Sequence, residues 1–172
     1  MKLIDLIKKR YSVRNYKKDP VTDELLMQIL EAGRLAPTGA NTQPQRIIAV
    51  REQAGLDKIN KAANTFSAPL VLIVCADHNV VWKRLYDGKK ITDIDASIVT
   101  DHMMLAATEL GLGSVWICHF KPDVIRSEFN LPSHIEPINI LAIGYENEAG
   151  GLKRRTTRKP LEETVFFERY IE

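Results

Sequence analysis

Residues 68–77, APLVLIVCAD, limit the choice of fold more than any other segment of this chain. The run is continuously apolar and rich in β-branched side chains, without the alternation that marks a half-exposed strand. A strand of this kind is buried on both faces. The sequence therefore predicts a central strand here, and the run is well short of the roughly 20 residues that a membrane span requires.

A helix is predicted to begin after Thr22 and to end near Leu35. Thr22 can cap this helix, and the acidic residues that follow it suit the positive helix end. Pro37 disfavours helical backbone in the residue before it, so the helix stops there. The apolar stripe of the helix consists of Leu26, Ile29, Leu30 and Gly33.

Another helix is predicted within DIDASIVTDHMMLAATELGLG, residues 93–113. Apolar side chains lie on nearly every side of it, so we expect it to be almost entirely enclosed. Gly111 or Gly113 ends it. The other expected elements are a short N-terminal helix, helices near 56–63 and 123–129, and strands at RIIAV, SVWICHF and INILAIGY.

Length and composition predict a single domain spanning residues 1–172. The formal charge of +2 creates no general attraction for nucleic acid or membranes. The N-terminus lacks the pattern of a secretory signal, so we expect a cytoplasmic location. Cys75 and Cys118 lie in apolar stretches and are expected to be buried, reduced thiols. No Cys or His spacing indicates a metal site.

The segment RYSVRNY, residues 10–16, places two arginines around one hydroxyl. In extended backbone, Arg10, Ser12 and Arg14 point the same way, because strand side chains alternate. Two guanidinium groups and a hydroxyl on one side of the segment form a plausible anion-binding site. The alternative interpretation is a solvated basic turn that leaves the first helix.

Two further segments are candidates for chemistry. APTGANTQP, residues 36–44, has small residues that allow close backbone approach and amides that can hydrogen-bond, or it is only a helix stop followed by a turn. KRRTTRKP, residues 153–160, is a second cationic group or a solvated charged run. If the two basic segments meet, a shared phosphate would explain it, because guanidinium groups bind phosphate bidentately. A nucleic-acid surface would need a broader basic face.

The order of these segments resembles that of the nitroreductase family of FMN-dependent oxidoreductases, in its short, single-domain form. The resembling segments are RYSVRNY, LEAGRLAPTGANTQP, APLVLIVCAD, DHMMLAATELGLGSVWIC, ILAIGY and RKPLEE. The resemblance implies an α+β sandwich with a mainly antiparallel central sheet flanked by helices. It also implies a homodimer with FMN at the subunit interface, in which the C-terminal tail, residues 153–172, is exchanged between subunits.

The resemblance further implies which residues bind FMN at its phosphate end. Arg10, Ser12 and Arg14 are expected to hold the phosphate and the ribityl chain. Tyr11 belongs to the same expected set and stands where family members often carry a basic residue. From the C-terminal segment, the residues expected to approach the same phosphate are Arg158 and Lys159.

At the ring end, the resemblance implies contacts from both subunits. Backbone groups around Trp116 and Ile117 are expected to lie near the flavin ring. The loop expected to contact the flavin from the second subunit contains Pro37, Thr38, Gly39 and Asn41.

The activity implied by the resemblance is transfer of reducing equivalents from NAD(P)H to a nitroaromatic, a quinone or a similar small acceptor by a ping-pong mechanism. Because the flavin supplies the redox chemistry, no catalytic side chain is assigned, and His102 and His119 are expected to be structural. The alternatives are an FMN-binding or storage dimer with little reductase activity, another flavin chemistry on the same scaffold, and a small nucleic-acid-binding protein.

Overall fold

Four antiparallel strands form the centre of the protein, which a computed structural model describes for residues 2–150 and 157–170. The strands are β1 (Gln45–Val50), β2 (Leu70–Asp77), β3 (Gly113–Ile117) and β4 (Ile135–Gly144). Their order in the sheet is β1-β2-β4-β3, so β2 and β4 are central and β1 and β3 are the two edges. The predicted central strand is confirmed, and every residue of β2 is buried.

The strand register is continuous except at one position. Ile48 of β1 pairs with Ile73 of β2, and Trp116 of β3 pairs with Leu141 of β4. The pairing of β2 with β4 shifts between Val74 and Cys75. A shift of this kind bends the strand locally and increases its twist.

Among the described residues, five α-helices surround the sheet: α1 (Leu3–Lys9), α2 (Asp23–Arg34), α3 (Gln53–Asn60), α4 (Thr92–Glu109) and α5 (Pro122–Glu128). The predicted start of α2 is confirmed, because the Leu25 N–H donates to Thr22 Oγ1 at 3.4 Å. Its apolar stripe is also confirmed, with Leu26, Ile29 and Gly33 buried. The predicted stop is confirmed too, because the helix ends at Arg34 with Leu35 as its C-cap.

The sheet has a hydrophobic core on each face, because successive strand side chains point to opposite sides. On one face, Val71 and Ile73 of β2 pack with α3 and α5. On the other face, Leu70 and Leu72 pack with α2 and α4. The structure is therefore the α+β sandwich with an antiparallel sheet that the sequence predicted.

Helix α4 is enclosed as predicted, and two of its threonine side chains are satisfied within the helix. The Thr100 hydroxyl donates to the carbonyl oxygen of Ala96 at 2.7 Å, and that of Thr108 donates to Met104 at 3.0 Å. His102 Nδ1 lies 3.0 Å from the Ile98 carbonyl oxygen, which accords with the expected structural role.

The prediction of two buried thiols is half right. Cys75 is fully buried, and this burial raises the pKa of its thiol to about 12, with Arg126 opposing the shift. Cys118 is exposed, which corrects the expectation for that residue. The reason is that β3 ends at Ile117, so the apolar pattern of VWIC continues one residue beyond the strand that buries it.

Candidate cofactor site

The RYSVRNY segment lies along the outer edge of β3. The Val13 N–H donates to the carbonyl oxygen of Ser114 at 2.9 Å, and Ser12 forms a parallel bridge with Ser114. Val13 is buried among the side chains of the α3 and α5 face, and Tyr11 packs against the same group. Since side chains alternate in extended backbone, Ser12 and Arg14 lie on the opposite side, as the sequence predicted.

Two contacts fix this segment to the sheet. Gly113 lets the segment approach, because a Cβ at Gly113 would lie 2.6 Å from Val13 Cγ2. The hydroxyl of Tyr16 donates to the carbonyl oxygens of Val13 at 2.8 Å and Ala142 at 3.2 Å. Burial raises the pKa of Tyr16 far above its ordinary value, so the hydroxyl stays a donor at every working pH.

The cationic groups of the segment lie at its exposed side. Arg14 Nη1 lies 3.5 Å from the Ser12 carbonyl oxygen, and its guanidinium carbon is 5.9 Å from the centre of the Phe66 ring. Arg10 is half-buried and continues the extended backbone from the end of α1. The structure therefore places Arg10, Ser12 and Arg14 in one short stretch at the sheet edge.

A small cavity of about 100 Å³ lies between this segment and the residues that lead into β3. Arg10 and Ser114 line it, and Glu146 adds a carboxylate. The Ser114 hydroxyl is buried and has no hydrogen-bond partner within residues 2–150 and 157–170. The volume corresponds to about three water molecules, so any ring system must lie outside the cavity.

Trp116 and Ile117 follow Ser114 on β3, and their expected position near the flavin ring stays a prediction. Their side chains face opposite sides of the sheet: Trp116 packs towards α2 and α4, and Ile117 is buried in the other core. The indole Nε1 of Trp116 is buried and has no partner in the described part of the chain. A buried donor in this state usually meets a ligand, an ordered water or another chain.

The loop between α2 and β1 has strained backbone, which is the main structural sign of function outside the cationic segment. Ala40, Asn41 and Gln43 have positive φ angles of 48°, 55° and 50°. Left-handed backbone in residues other than glycine is unfavourable and clusters at functional sites. Pro37 and Asn41 are exposed, and Thr38 and Gly39 are partly exposed, so a ligand can reach this loop.

Three backbone donors of this loop are used within the loop itself. The N–H of Asn41 donates to Thr38 O at 2.9 Å, and that of Thr42 donates to Gly39 O at 3.1 Å. The N–H of Gln43 donates to Thr38 Oγ1 at 3.1 Å. These three N–H groups are therefore not free to bind an anion, and the loop also offers a ligand side chains and carbonyl oxygens.

Within one chain, the structure does not bring this loop and the cationic segment together. The loop leads into β1, whereas the segment lies along β3, and these strands are opposite edges of the sheet. Three strand spacings separate them, which amounts to about 14 Å. The two predicted parts of the site therefore belong to different edges of the molecule.

Arg158 and Lys159 are exposed and make their polar contacts within the tail. Arg158 Nη1 donates to the Thr157 carbonyl oxygen at 2.9 Å, and Lys159 Nζ lies 3.5 Å from Glu163 Oε2. The other basic residues of KRRTTRKP, at positions 153–155, lie outside the described residues. Their predicted approach to a shared phosphate stays a prediction.

Sequence reasoning missed the residues that support the strained loop. The most prominent is Asp95, a buried carboxylate in the first turn of α4 whose Oδ1 accepts a hydrogen bond from the Gly39 N–H at 2.9 Å. The sequence signal that could have identified Asp95 was one acidic residue on an otherwise apolar side of an enclosed helix.

Two negative findings apply to the part of the chain that the structure describes. It contains no cluster of three or more His, Cys, Asp or Glu side chains arranged to hold a metal ion. Of its helices, none has both the length and the apolar character needed to cross a membrane.

Fold and site together define an α+β sandwich with a basic segment on one sheet edge and a strained loop at the other. A family model described as the nitroreductase family matches residues 7–68 and 60–145. This match covers most of the chain, which therefore belongs to the nitroreductase family. The resemblance inferred from the sequence motifs is confirmed.

Individual relatives agree with this assignment. An NADH dehydrogenase from Thermus thermophilus is 32% identical over 192 residues, covering 92% of this chain and 92% of the relative. A protein named FMN reductase (NAD(P)H) from Bacillus subtilis is 32% identical over 163 residues, covering 84% of this chain and 66% of that protein. The crystal structure of a nitroreductase family protein from Clostridium difficile 630 superposes with a TM-score of 0.92 at 51% identity, covering 99% and 100% of the two chains.

Proposed function

We propose that this protein is an FMN-dependent oxidoreductase that passes reducing equivalents from NAD(P)H to a nitroaromatic, a quinone or a similar acceptor. The family assignment and the names of the relatives, NADH dehydrogenase and FMN reductase, support this class of activity. The observation on which the proposal mainly rests is the placement of Arg14 beside Ser12 on the β3 edge, with Arg10 in the same extended stretch.

These residues suit the phosphate end of FMN. Two guanidinium groups and a hydroxyl provide several donors for one anion, and guanidinium–phosphate contacts are strong because they can be bidentate. The buried, unpartnered Ser114 hydroxyl adds a polar group beside Arg10. Tyr11 lies in the same segment, and Arg158 and Lys159 complete the proposed phosphate site from the tail.

Bound FMN supplies the redox chemistry, and the protein binds and orients it. The β3 edge beside Trp116 and Ile117 is the proposed position of the ring. Backbone groups of this edge are the proposed donors to a polar edge of the ring. No general acid or base is assigned. In the proposed scheme NAD(P)H and the acceptor use the same open face of the flavin in turn, and this scheme requires no catalytic side chain.

The proposed active form is a homodimer in which the Pro37–Asn41 loop of one subunit meets the flavin held by the other. The support is geometric, because the loop and the cationic segment occupy opposite edges of the sheet. Helix α2 also has an uncovered apolar side, with Met27 and Leu35 each 63% exposed. These residues line a groove of about 780 Å³ against Leu110, the C-cap of α4. Exposed apolar surface of this extent favours a protein partner.

The tail gives a second reason to propose a dimer with exchanged C-termini. All of residues 157–170 are exposed, including Phe166, Phe167 and Tyr170. Phe166 and Tyr170 contact each other, with ring centroids 4.5 Å apart. Aromatic side chains in an otherwise polar tail need a surface to cover, and the second subunit is the proposed surface.

Absorbance and rapid kinetics test the proposed function. We expect the purified protein to be yellow and its bound flavin to bleach rapidly when NADH or NADPH is added, followed by reoxidation with a quinone. Parallel lines in double-reciprocal plots against both substrates would support the ping-pong order. Bound flavin that reacts only very slowly with either nucleotide would favour storage or another flavin chemistry. A colourless protein that binds DNA with a steep salt dependence would favour the nucleic-acid alternative.

A further inference from the structure

We propose that Asp95 is a positioning residue for the cofactor, because its buried carboxylate holds the Pro37–Asn41 loop in the conformation in which it meets the flavin. The inference rests on the proposed function, since it treats this loop as part of the FMN site. Asp95 acts through the backbone of Gly39 and is not a catalytic residue.

The contact joins the loop to a rigid element. Asp95 is 1% exposed, and its Oδ1 accepts the Gly39 N–H at 2.9 Å. It lies in the first turn of α4, whose next turns pack on the sheet through Val99 and Met103. A carboxylate is also favoured at this end of a helix by the helix dipole. The loop is therefore fixed to the enclosed helix α4.

Apolar contacts at Gly39 strengthen this anchor. A Cβ at Gly39 would lie 3.1 Å from Trp82 Cβ and would overlap Ile91 Cδ1. Trp82 and Ile91 are themselves joined, because the Ile91 N–H donates to the Trp82 carbonyl oxygen at 3.3 Å. There is therefore no room for a side chain at Gly39 where its N–H is bound to Asp95.

Stability alone does not explain a carboxylate at this position. Asp95 Oδ2 is buried and has no hydrogen-bond partner among the residues that the structure describes. Burying a charged oxygen without a donor is unfavourable, and a well-packed apolar residue would avoid this cost. We therefore attribute the presence of the carboxylate to the hydrogen bond that it accepts from the loop.

The loop needs such an anchor because its backbone is strained. Ala40 and Asn41 in the loop and Gln43 just after it have positive φ, and left-handed backbone persists only where surrounding contacts enforce it. A second anchor lies at the other end, where Arg46 Nη1 donates to the carbonyl oxygens of Gln43 at 3.2 Å and Gln45 at 2.9 Å. Arg46 Nη2 is paired with the buried Asp77 at 2.9 Å. Asp95 thus fixes the beginning of the loop and Arg46 fixes its end.

Three variants of the full-length protein test the proposal. Asp95→Ala removes the acceptor for Gly39, and Asp95→Asn keeps an oxygen acceptor and removes the charge. Asp93→Ala is the matched control, because Asp93 is an exposed acid in the same first turn of α4. For each variant, FMN affinity is measured by fluorescence titration of the apoprotein. Hydrogen exchange of residues 38–43 and the thermal midpoint of the apoprotein are measured as well.

We expect Asp95→Ala to bind FMN at least about tenfold more weakly and to exchange faster at residues 38–43, because a hydrogen bond to a charged group is lost. Its apoprotein should also lose some thermal stability, because the Gly39 N–H is left without its acceptor, so the local exchange at residues 38–43 and the rescue by Asp95→Asn identify the positioning role. Asp95→Asn should restore FMN affinity to within about threefold of the wild type. Asp93→Ala should match the wild type in all measurements.

Unchanged FMN affinity in Asp95→Ala would overturn the proposal, as would an Asp95→Asn variant that is as defective as Asp95→Ala. If Asp95→Ala does not fold, Gly39→Ala displaces the same loop from its other contacts, and it should weaken FMN binding while leaving Asp95 in place. A wild-type protein that binds no FMN would refute the proposed function. The exchange rates of residues 38–43 would then still decide whether Asp95 anchors the loop.

Discussion

Val13 packs directly on Gly113, with no room for a side chain at the glycine: a Cβ there would lie 2.6 Å from Val13 Cγ2. This contact sets how close the cationic segment lies to β3. We expect Gly113→Ala to push the segment outward, destabilising the protein by about 1–3 kcal/mol because of overpacking. FMN affinity should fall as well, since Ser12 and Arg14 move with Val13. Chemical denaturation and FMN titration measure the two effects.

The double variant Val13→Ala/Gly113→Ala is the control for this prediction. Shortening Val13 makes room for the new methyl group, so the double variant should recover part of the lost stability and affinity. The two substitutions should therefore be non-additive, as expected for residues in contact. Additive effects would show that Gly113 acts through something other than Val13.

Arg10→Ala and Arg14→Ala test the phosphate site. Each should weaken FMN binding by about 1.5–3 kcal/mol, the range for loss of a hydrogen bond to a charged group. Lys8→Ala is the control, because Lys8 is an exposed cation at the end of α1 and has a similar effect on net charge. Equilibrium dialysis at two salt concentrations distinguishes the loss of a local contact with FMN from a change in the general electrostatic attraction between FMN and the protein. An arginine variant with wild-type affinity does not belong to the site.

Deletion of residues 153–172 tests the exchanged tail. The truncated protein should sediment as a monomer and retain little flavin, because it loses Arg158, Lys159 and the aromatic residues that are proposed to cover the partner. A milder variant, Phe166→Ser/Phe167→Ser, keeps the basic residues and should weaken dimerisation with a smaller loss of flavin. A stable yellow dimer after truncation would contradict the exchange.

The two thiols should differ sharply in reactivity. In the native protein at pH 8, a disulfide reagent such as Ellman's reagent should modify Cys118, which is exposed, and leave Cys75 unmodified. Both should react after unfolding, because the thiolate is the reactive form and burial disfavours it in Cys75. Native Cys118→Ser should therefore show no rapidly reacting thiol, and a fast reaction there would contradict the buried placement of Cys75.

The raised pKa of Cys75 also predicts a pH dependence of stability. Between the ordinary thiol value near 9 and the folded value of about 12, the unfolded chain releases the Cys75 proton and the folded chain keeps it. The unfolded state then binds fewer protons, so the free energy of unfolding decreases as pH rises, by up to about 1.4 kcal/mol per pH unit. Cys75→Ala should show a shallower decrease than the wild type between pH 9 and 11 in denaturant titrations.

Most of the secondary structure followed from local patterns. The buried run of β2, the Thr22 cap and the apolar stripe of α2 each have a direct physical cause within a few residues, so the sequence specifies them without knowledge of the rest. The extended backbone of the cationic segment was equally predictable, because it alone makes successive side chains alternate. It places Arg10, Ser12 and Arg14 opposite Tyr11 and Val13.

The features that could not be predicted depend on contacts between distant segments. Nothing near Asp95 in the sequence indicates that it meets Gly39, and nothing near Gly113 indicates that it meets Val13. The positions of the strained loop and the cationic segment on opposite edges follow from the strand order, which periodicity does not encode. Cys118 was misjudged because an apolar pattern does not reveal at which residue a strand stops.

The separation of the loop and the cationic segment by the width of the sheet has a practical consequence for handling the protein. If each flavin needs one edge from each of two molecules, its retention is governed by mass action, and diluting the sample should release the pigment. Colour per mole of polypeptide should then fall at low concentration and return when the sample is concentrated with the released flavin still present. Gel filtration of a dilute sample would separate the released flavin from the protein and leave a pale but intact polypeptide.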